Sequence, residues 1–220
     1  MKKEGRNDFR FAIGMLAGFL LWTAAVRCVD VQPIGPEGSA VGFATVNGFV
    51  HTLTGVHMAL YTVTDLLSLV PFGFVLGFGL LGLSQWVRRK RLWAVDYDIL
   101  VLGIFYGAVL AVYGLFEVAI VNYRPVLIDG VLEASYPSST TLLAMCVMPT
   151  AVMQLNARIR HRGFRRCAVF GITAFTAFMV VCRLVSGVHW LSDIVGGALL
   201  SAGLVLLYRA AIRLEPYRTK

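Results

Sequence analysis

The chain has 220 residues, of which 58% are hydrophobic and 15% are charged, and its mean hydropathy is +0.74. This composition excludes an ordinary soluble enzyme and predicts an integral membrane protein, since each helical span of a bilayer core needs about 20 apolar residues. The net charge of +8 would suit a nucleic-acid-binding protein only if the basic residues formed a patch on a folded surface.

Six apolar stretches are long enough to cross a bilayer. They predict an all-α, polytopic membrane protein, a bundle of six transmembrane helices in one domain over residues 1–220. The first stretch is longer than a signal-peptide core and no small-residue cleavage site follows it, so we expect it to be retained as a span. The predicted spans are residues 9–29, 57–87, 97–121, 140–156, 167–185 and 191–212.

The segment between the first two predicted spans, residues 31–55, is rich in Gly and Pro at first and mildly amphipathic from 43 to 53. A helix lying on the membrane as a lid or entrance would have this pattern. We favour a simple connecting loop.

The basic residues indicate how the chain is oriented. Seventeen of the 20 Lys and Arg fall in four clusters, at residues 2–10, 88–91, 158–166 and 209–220. With six spans these four places share one side, and positive residues mark the cytoplasmic side. We therefore expect both termini in the cytoplasm, and we expect membrane lipids rather than nucleic acid as partners.

The three remaining arginines, Arg27, Arg124 and Arg183, fall on the outer side. A cation near the membrane is costly without a partner or a water-filled pocket, so Arg124 and Arg183 are candidates for a functional site. The structural alternative is that they reach the interface or form ion pairs with Glu117 or Asp193.

A candidate nucleophile lies between the last two spans. His189 and Asp193 are four residues apart, so we expect them to share one face of a helix, where the carboxylate would fix the tautomer and orientation of the imidazole. An oriented imidazole is a nucleophile or a base. Groups suited to a phosphate target lie at two other span ends, in Arg124-Pro125 and in the hydroxyl-rich run 136–141.

No metal or disulfide pattern accompanies these residues. The four cysteines are scattered, and no two histidines have the HxxxH or HExxH spacing of a zinc site. We expect chemistry without a metal and without a cofactor.

The three polar segments resemble the signatures of the type 2 phosphatidic acid phosphatase family, membrane lipid phosphatases related to bacterial acid phosphatases and vanadium haloperoxidases. The family pattern is Lys, six residues, Arg-Pro; then Pro-Ser-Gly-His; then Ser-Arg, five residues, His, three residues, Asp. The order of spans and signatures is also similar. The matching residues here are Arg124-Pro125, Pro137-Ser138, and Arg183, His189 and Asp193, with Cys182 in place of the leading Ser.

The resemblance implies a mechanism. His189 would attack phosphorus and become a phosphohistidine, which water then hydrolyses, and Asp193 would orient and polarise His189. Guanidinium groups and a helix N-terminus suit a phosphoryl group that spreads negative charge over its oxygens. Those oxygens would be held by backbone N–H groups at the start of the fourth span and by Arg124, Arg183, Ser138, Ser139 and Thr140.

Two positions depart from the family pattern. Glu117 stands where the family has Lys, and Ser139-Thr140 stand where it has Gly-His. That His is the acid that protonates the leaving alkoxide, a contribution typically worth about 10²- to 10⁴-fold. A threonine hydroxyl cannot replace its acidity, although it can donate a hydrogen bond to a phosphate oxygen.

Three explanations for the missing acid stay open. In the first explanation, the leaving group needs little protonation, as when a diphosphate lipid expels a phosphate monoester. Glu117, seven residues before Arg124 and expected on the same helical face, is a candidate proton donor, although an ion pair with Arg124 or Arg183 is the simpler interpretation. In the third explanation, the site binds a phosphorylated lipid and turns it over slowly or not at all.

The sequence therefore favours a lipid phosphatase of a bacterial plasma membrane whose site faces outward. Its substrate would be a lipid phosphate or diphosphate of the undecaprenyl diphosphate, phosphatidic acid or phosphatidylglycerophosphate type, with a slight preference for carrier-lipid recycling. The alternative is a catalytically impaired binder of phospholipid head groups or an envelope scaffold. A transporter is disfavoured because most polar residues lie at span ends rather than mid-membrane. The oligomeric state stays open.

Overall fold

The computed structural model describes residues 3–214, so the predicted basic residues at positions 2, 218 and 220 lie outside the described residues. Within the described range the chain is helical, with isolated β-bridges only between extended segments. The α-helices are α1 (Lys3–Cys28), α2 (Ala44–Thr54), α3 (Met58–Leu67), α4 (Leu69–Arg89), α5 (Tyr97–Val118), α6 (Ser139–Arg158), α7 (Arg162–Val185) and α8 (Leu191–Ile212).

Six helical segments of the described chain are long and apolar enough to cross a membrane. Five are single helices, and the sixth joins α3 and α4, which are separated only by Ser68. The predicted all-α, six-span fold is therefore confirmed.

The helices α6 and α8 form the centre of the bundle. In each, 56% of the most apolar stretch is buried inside the protein, against 6% for the combined α3–α4 span. The helix α8 packs closely because it carries glycine where neighbours approach. A Cβ at Gly196 would lie 2.6 Å from the Tyr136 ring, so only glycine lets Tyr136 lie against α8. This contact fixes the chain just before α6 against the start of α8.

Residues 44–54 form the helix α2, so our interpretation of this segment as a loop was wrong. Asn47 is buried in the helix and forms two hydrogen bonds with Ser192 near the start of α8: its Oδ1 accepts from the Ser192 N–H at 3.1 Å, and its Nδ2 donates to Ser192 Oγ at 2.9 Å. The Asn47 side chain thus pairs with the N–H and the hydroxyl of Ser192 at the start of α8. The amphipathic pattern alone does not show this pairing.

Ion pairs tie the helices together at the end of the bundle where the basic clusters lie. Arg158 on α6 pairs with Asp98 on α5 at 2.8 Å, and Arg213 pairs with Asp8 on α1 at 2.6 Å. Some of the predicted basic residues therefore also connect neighbouring helices.

Candidate active site

His189 lies in the short connection between α7 and α8, buried with 3% of its surface exposed. Its Nδ1 is 3.1 Å from the backbone carbonyl oxygen of Ser135. Because a carbonyl only accepts, Nδ1 carries the proton and Nε2 keeps its lone pair. Within the described residues, buried Nε2 has no hydrogen-bond partner. The imidazole is thus held in the tautomer that a nucleophile requires.

Asp193 lies beside His189, but not on the same helical face, so that part of our prediction was wrong. The helix α8 begins at Leu191 because Trp190 has an extended backbone, which leaves His189 before the helix. Asp193 lies in the first turn, where its Oδ2 accepts the Trp190 N–H at 2.9 Å and lies 3.8 Å from His189 Nδ1. The carboxylate is thus near the imidazole without being its first hydrogen-bond partner.

Two polar residues that our sequence analysis did not select, Ser135 and Asn122, complete this arrangement. The Ser135 hydroxyl donates to Asp193 Oδ2 at 2.5 Å, and Asn122 Nδ2 donates to Asp193 Oδ1 at 3.1 Å. The Ser135 N–H also donates to the Asn122 carbonyl at 2.9 Å. Ser135 therefore links both members of the His189 and Asp193 pair, through its carbonyl and its hydroxyl. Only its place directly before the hydroxyl-rich run 136–141 hints at this.

Replacing Ser135 by alanine is expected to lower kcat about 10-fold and to leave KM nearly unchanged. The substitution keeps the carbonyl that holds His189 but removes a hydrogen bond to a buried carboxylate, a loss of about 1–3 kcal/mol. Steady-state kinetics of the proposed phosphatase reaction would measure it. The matched control is Ser201→Ala, which removes a buried hydroxyl that donates to the Gly197 carbonyl within α8 and lies outside the candidate site. Equal kinetics for the two variants would contradict the role of Ser135.

Arg183 is almost fully buried at 1% exposure and is held by α3. Its Nη1 donates to Thr64 Oγ1 at 3.2 Å, and its guanidinium lies 4.7 Å from the centre of the Tyr61 ring. Its buried Nε has no partner among the described residues. A buried N–H without a partner is costly, which makes this group a ready ligand for an anion.

Arg124 is the second cation of the site, at 8% exposure. Its Nε lies 3.0 Å from Glu133 Oε2, and its buried Nη1 has no partner among the described residues. Neither Arg124 nor Arg183 forms an ion pair with Glu117 or Asp193 in the described chain, so the sequence-based ion-pair alternative was wrong. Each arginine keeps N–H groups that an anion would satisfy.

The surroundings of His189 set its protonation state. The residue lies outside the membrane-spanning helices, and burial lowers its pKa from an ordinary value of 6.5 to about 4. The nearby Asp193 carboxylate raises the pKa, and the charges of Arg124 and Arg183 lower it. The imidazole is therefore neutral at physiological pH, as a nucleophile must be.

The residues predicted to hold phosphoryl oxygens surround the start of α6. Ser138 is the N-cap residue of α6, and its Oγ accepts the Thr141 N–H at 3.4 Å. Ser139 and Thr140 are the first two residues of the helix, so their N–H groups have no partner within it. A helix N-terminus of this kind attracts anions.

Two neighbouring clefts meet at Ser139. The narrow one is lined by His189, Ser135 and Glu117. The wide one has a volume of about 250 Å³ and an apolar wall. Its lining residues are Asp65, Ser68, Phe72, Val109, Leu110, Tyr113, Ser139, Thr140, Leu142 and Leu143. The site therefore has a narrow cleft at the histidine and an adjoining wide cleft with an apolar wall.

Glu117, our candidate proton donor, lies in the last turn of α5, which ends at Val118. Arg124 follows in a non-helical segment, so the expectation that the two share a helical face was wrong. The helix ends before the seven-residue spacing is completed. Glu117 nevertheless lines the narrow cleft together with His189.

Comparison with known proteins adds a family and a fold. Residues 105–216 match the family model described as the PAP2 superfamily, a range that contains all three polar segments. The chain is also similar in structure to a protein described as the first transmembrane PAP2 type phosphatidylglycerolphosphate phosphatase from Bacillus subtilis. The TM-score is 0.65 and the identity 18%, over 94% of this chain and 98% of that chain. No curated protein matches this chain in sequence.

Proposed function

The chain belongs to the PAP2 superfamily, and this membership together with the fold supports a membrane lipid phosphatase in general; on that premise we propose that it hydrolyses a lipid phosphate or diphosphate through a phosphohistidine on His189. The observation that carries the proposal is the buried Nε2 of His189, which has no partner among the described residues, in a site with two arginines that each keep a buried N–H group without a partner there. A bound phosphoryl group would satisfy all three residues.

The chemistry proceeds in two steps. His189 Nε2 attacks phosphorus, the bond from phosphorus to the leaving oxygen breaks, and the lipid departs. The imidazole gains positive charge, which the carbonyl of Ser135 and the Asp193 carboxylate stabilise from the Nδ1 side. Water then attacks phosphorus, the bond from phosphorus to Nε2 breaks, and phosphate leaves. Arg124, Arg183 and the first N–H groups of α6 hold the phosphoryl oxygens in both steps.

We place the site on the outer side of the membrane. The basic clusters at Arg89, Arg158 and Arg209 lie at the helix ends opposite to His189, and cytoplasmic ends carry the excess of Lys and Arg. A substrate would therefore present its head group from the outer leaflet, with its hydrocarbon chain entering from the bilayer.

The two clefts support a lipid phosphate or diphosphate as the substrate class. The phosphoryl group would bind at His189, and the wide cleft offers Phe72, Val109 and Leu110 to the part of the lipid next to the head group. Undecaprenyl diphosphate, phosphatidic acid and phosphatidylglycerophosphate all meet this description. The diphosphate is favoured slightly because its leaving group, a phosphate monoester, needs less protonation than an alkoxide.

The test is phosphate release by the purified, detergent-solubilised protein from these three lipids, with a chelator in place of added metal. We expect release from at least one lipid, and a phosphoenzyme that survives alkaline quenching but is lost in acid, as a phosphorus–nitrogen bond requires. A phosphoenzyme with the opposite stability would contradict His189 as nucleophile. Binding of head groups without release from any lipid would favour the alternative, a head-group binder or envelope scaffold.

A further inference from the structure

The proposed reaction lacks a proton donor when the leaving group is an alcohol. General acid catalysis of such a step contributes about 10²- to 10⁴-fold. His189 is used as the nucleophile, and Asp193 already accepts hydrogen bonds from Trp190, Ser135 and Asn122. The hydroxyl groups at the start of α6 are too weakly acidic.

A carboxylate that the reaction scheme does not yet use lies on α3. This helix supports Arg183 with two consecutive turns, through the Tyr61 ring at 4.7 Å and the Thr64 hydroxyl at 3.2 Å. Asp65 follows Thr64 directly and interacts electrostatically with the same guanidinium. A phosphate bound by Arg183 would therefore have Asp65 beside it.

Asp65 also faces the space that the leaving lipid would occupy. It is the one carboxylate among the described residues that line the wide cleft, which it shares with Thr140 and the apolar wall. In an in-line displacement the leaving oxygen lies on the far side of phosphorus from the attacking Nε2. Glu117 lines the cleft that contains His189 itself, so Asp65 is the better placed of the two carboxylates.

We infer that Asp65 is the general acid of this site, a conclusion that rests on the proposed function. As Nε2 forms its bond to phosphorus, the carboxylic acid gives its proton to the departing lipid oxygen. In the second step the carboxylate takes a proton from the attacking water, which restores both Asp65 and neutral His189 as phosphate leaves.

The experiment compares two substrates with the same hydrocarbon chain, undecaprenyl phosphate and undecaprenyl diphosphate. The first expels an alkoxide and needs the proton, whereas the second expels a phosphate monoester and needs it little. We expect Asp65→Asn to lower kcat about 10²-fold for the monophosphate and less than about 3-fold for the diphosphate. Asp65→Glu, which restores a carboxyl group, should recover part of the loss.

Glu117→Gln is the matched control, since it also converts an acid to its amide beside the site, and it should affect both substrates alike. A selective loss in Glu117→Gln, an equal loss for both substrates in Asp65→Asn, or no loss in Asp65→Asn would each overturn the inference. If the wild-type protein hydrolyses only the diphosphate, the reaction needs no such proton donor, and that result would also overturn the inference. Retained activity in His189→Ala would instead contradict the proposed function.

Discussion

His189→Ala is expected to reduce phosphate release by about 10³-fold or more, because no other side chain in the site can form the covalent intermediate. The Nδ1 proton of His189 is fixed by the Ser135 carbonyl, and its buried Nε2 has no hydrogen-bond partner among the described residues, so its lone pair is free to attack phosphorus. Removing the imidazole leaves those arginines in place. Binding of the lipid head group should therefore weaken far less than turnover.

The measurement is the rate of phosphate release from the preferred lipid, together with head-group binding by the same variant. His57→Ala is the matched control, since His57 also directly precedes a helix, but its side chain is exposed and is hydrogen-bonded to the Thr54 carbonyl at 2.9 Å. The substitution removes only the imidazole and keeps the backbone N–H that donates to the Ser186 carbonyl at 2.9 Å, so the variant should keep nearly full activity. A His189→Ala protein with more than about a tenth of the wild-type rate would contradict the phosphohistidine mechanism.

Hydropathy was sufficient to predict the spans because each needs about 20 apolar residues, whatever its partners. It could not show that Ser68 separates α3 from α4, because the chain stays apolar on both sides. Nor could it show the helix at 44–54, whose place depends on the contact of Asn47 with Ser192, 145 residues away. Local patterns thus predicted which segments are long and apolar enough to cross the membrane, but not how the connecting segments pack against them.

At the candidate site, too, sequence patterns identified some residues but not the contacts that depend on the fold. Spacing identified His189, Asp193 and Arg183, and the structure brings them together. The expectation that His189 and Asp193 share a helical face failed because the extended backbone of Trp190 starts α8 late. Ser135 was not selected because it holds the imidazole through a backbone carbonyl, a group that every residue carries. Roles played by the backbone leave no signal in residue types.

The burial of His189 should make the protein less stable in acid. The residue is neutral in the folded state because its pKa is lowered to about 4, whereas in the unfolded chain the pKa returns to about 6.5. Between these values the unfolded state binds more protons, so the free energy of unfolding rises with pH. The stability is fully present above about pH 6.5 and is lost as the pH falls toward 4. The free energy of unfolding that is lost in this way amounts to a few kcal/mol.

The unfolding midpoint in detergent should therefore fall more steeply between pH 6.5 and 4 in the wild-type protein than in His189→Asn. That variant keeps an N–H group for the Ser135 carbonyl but cannot titrate. The charged groups around the position, Asp193, Arg124 and Arg183, are present in both proteins, so the difference between the two curves reports His189 alone. Parallel curves would show that the imidazole is not held neutral. A steeper wild-type curve would mean that the surroundings which keep Nε2 unprotonated, and so nucleophilic, also make the folded state sensitive to acid.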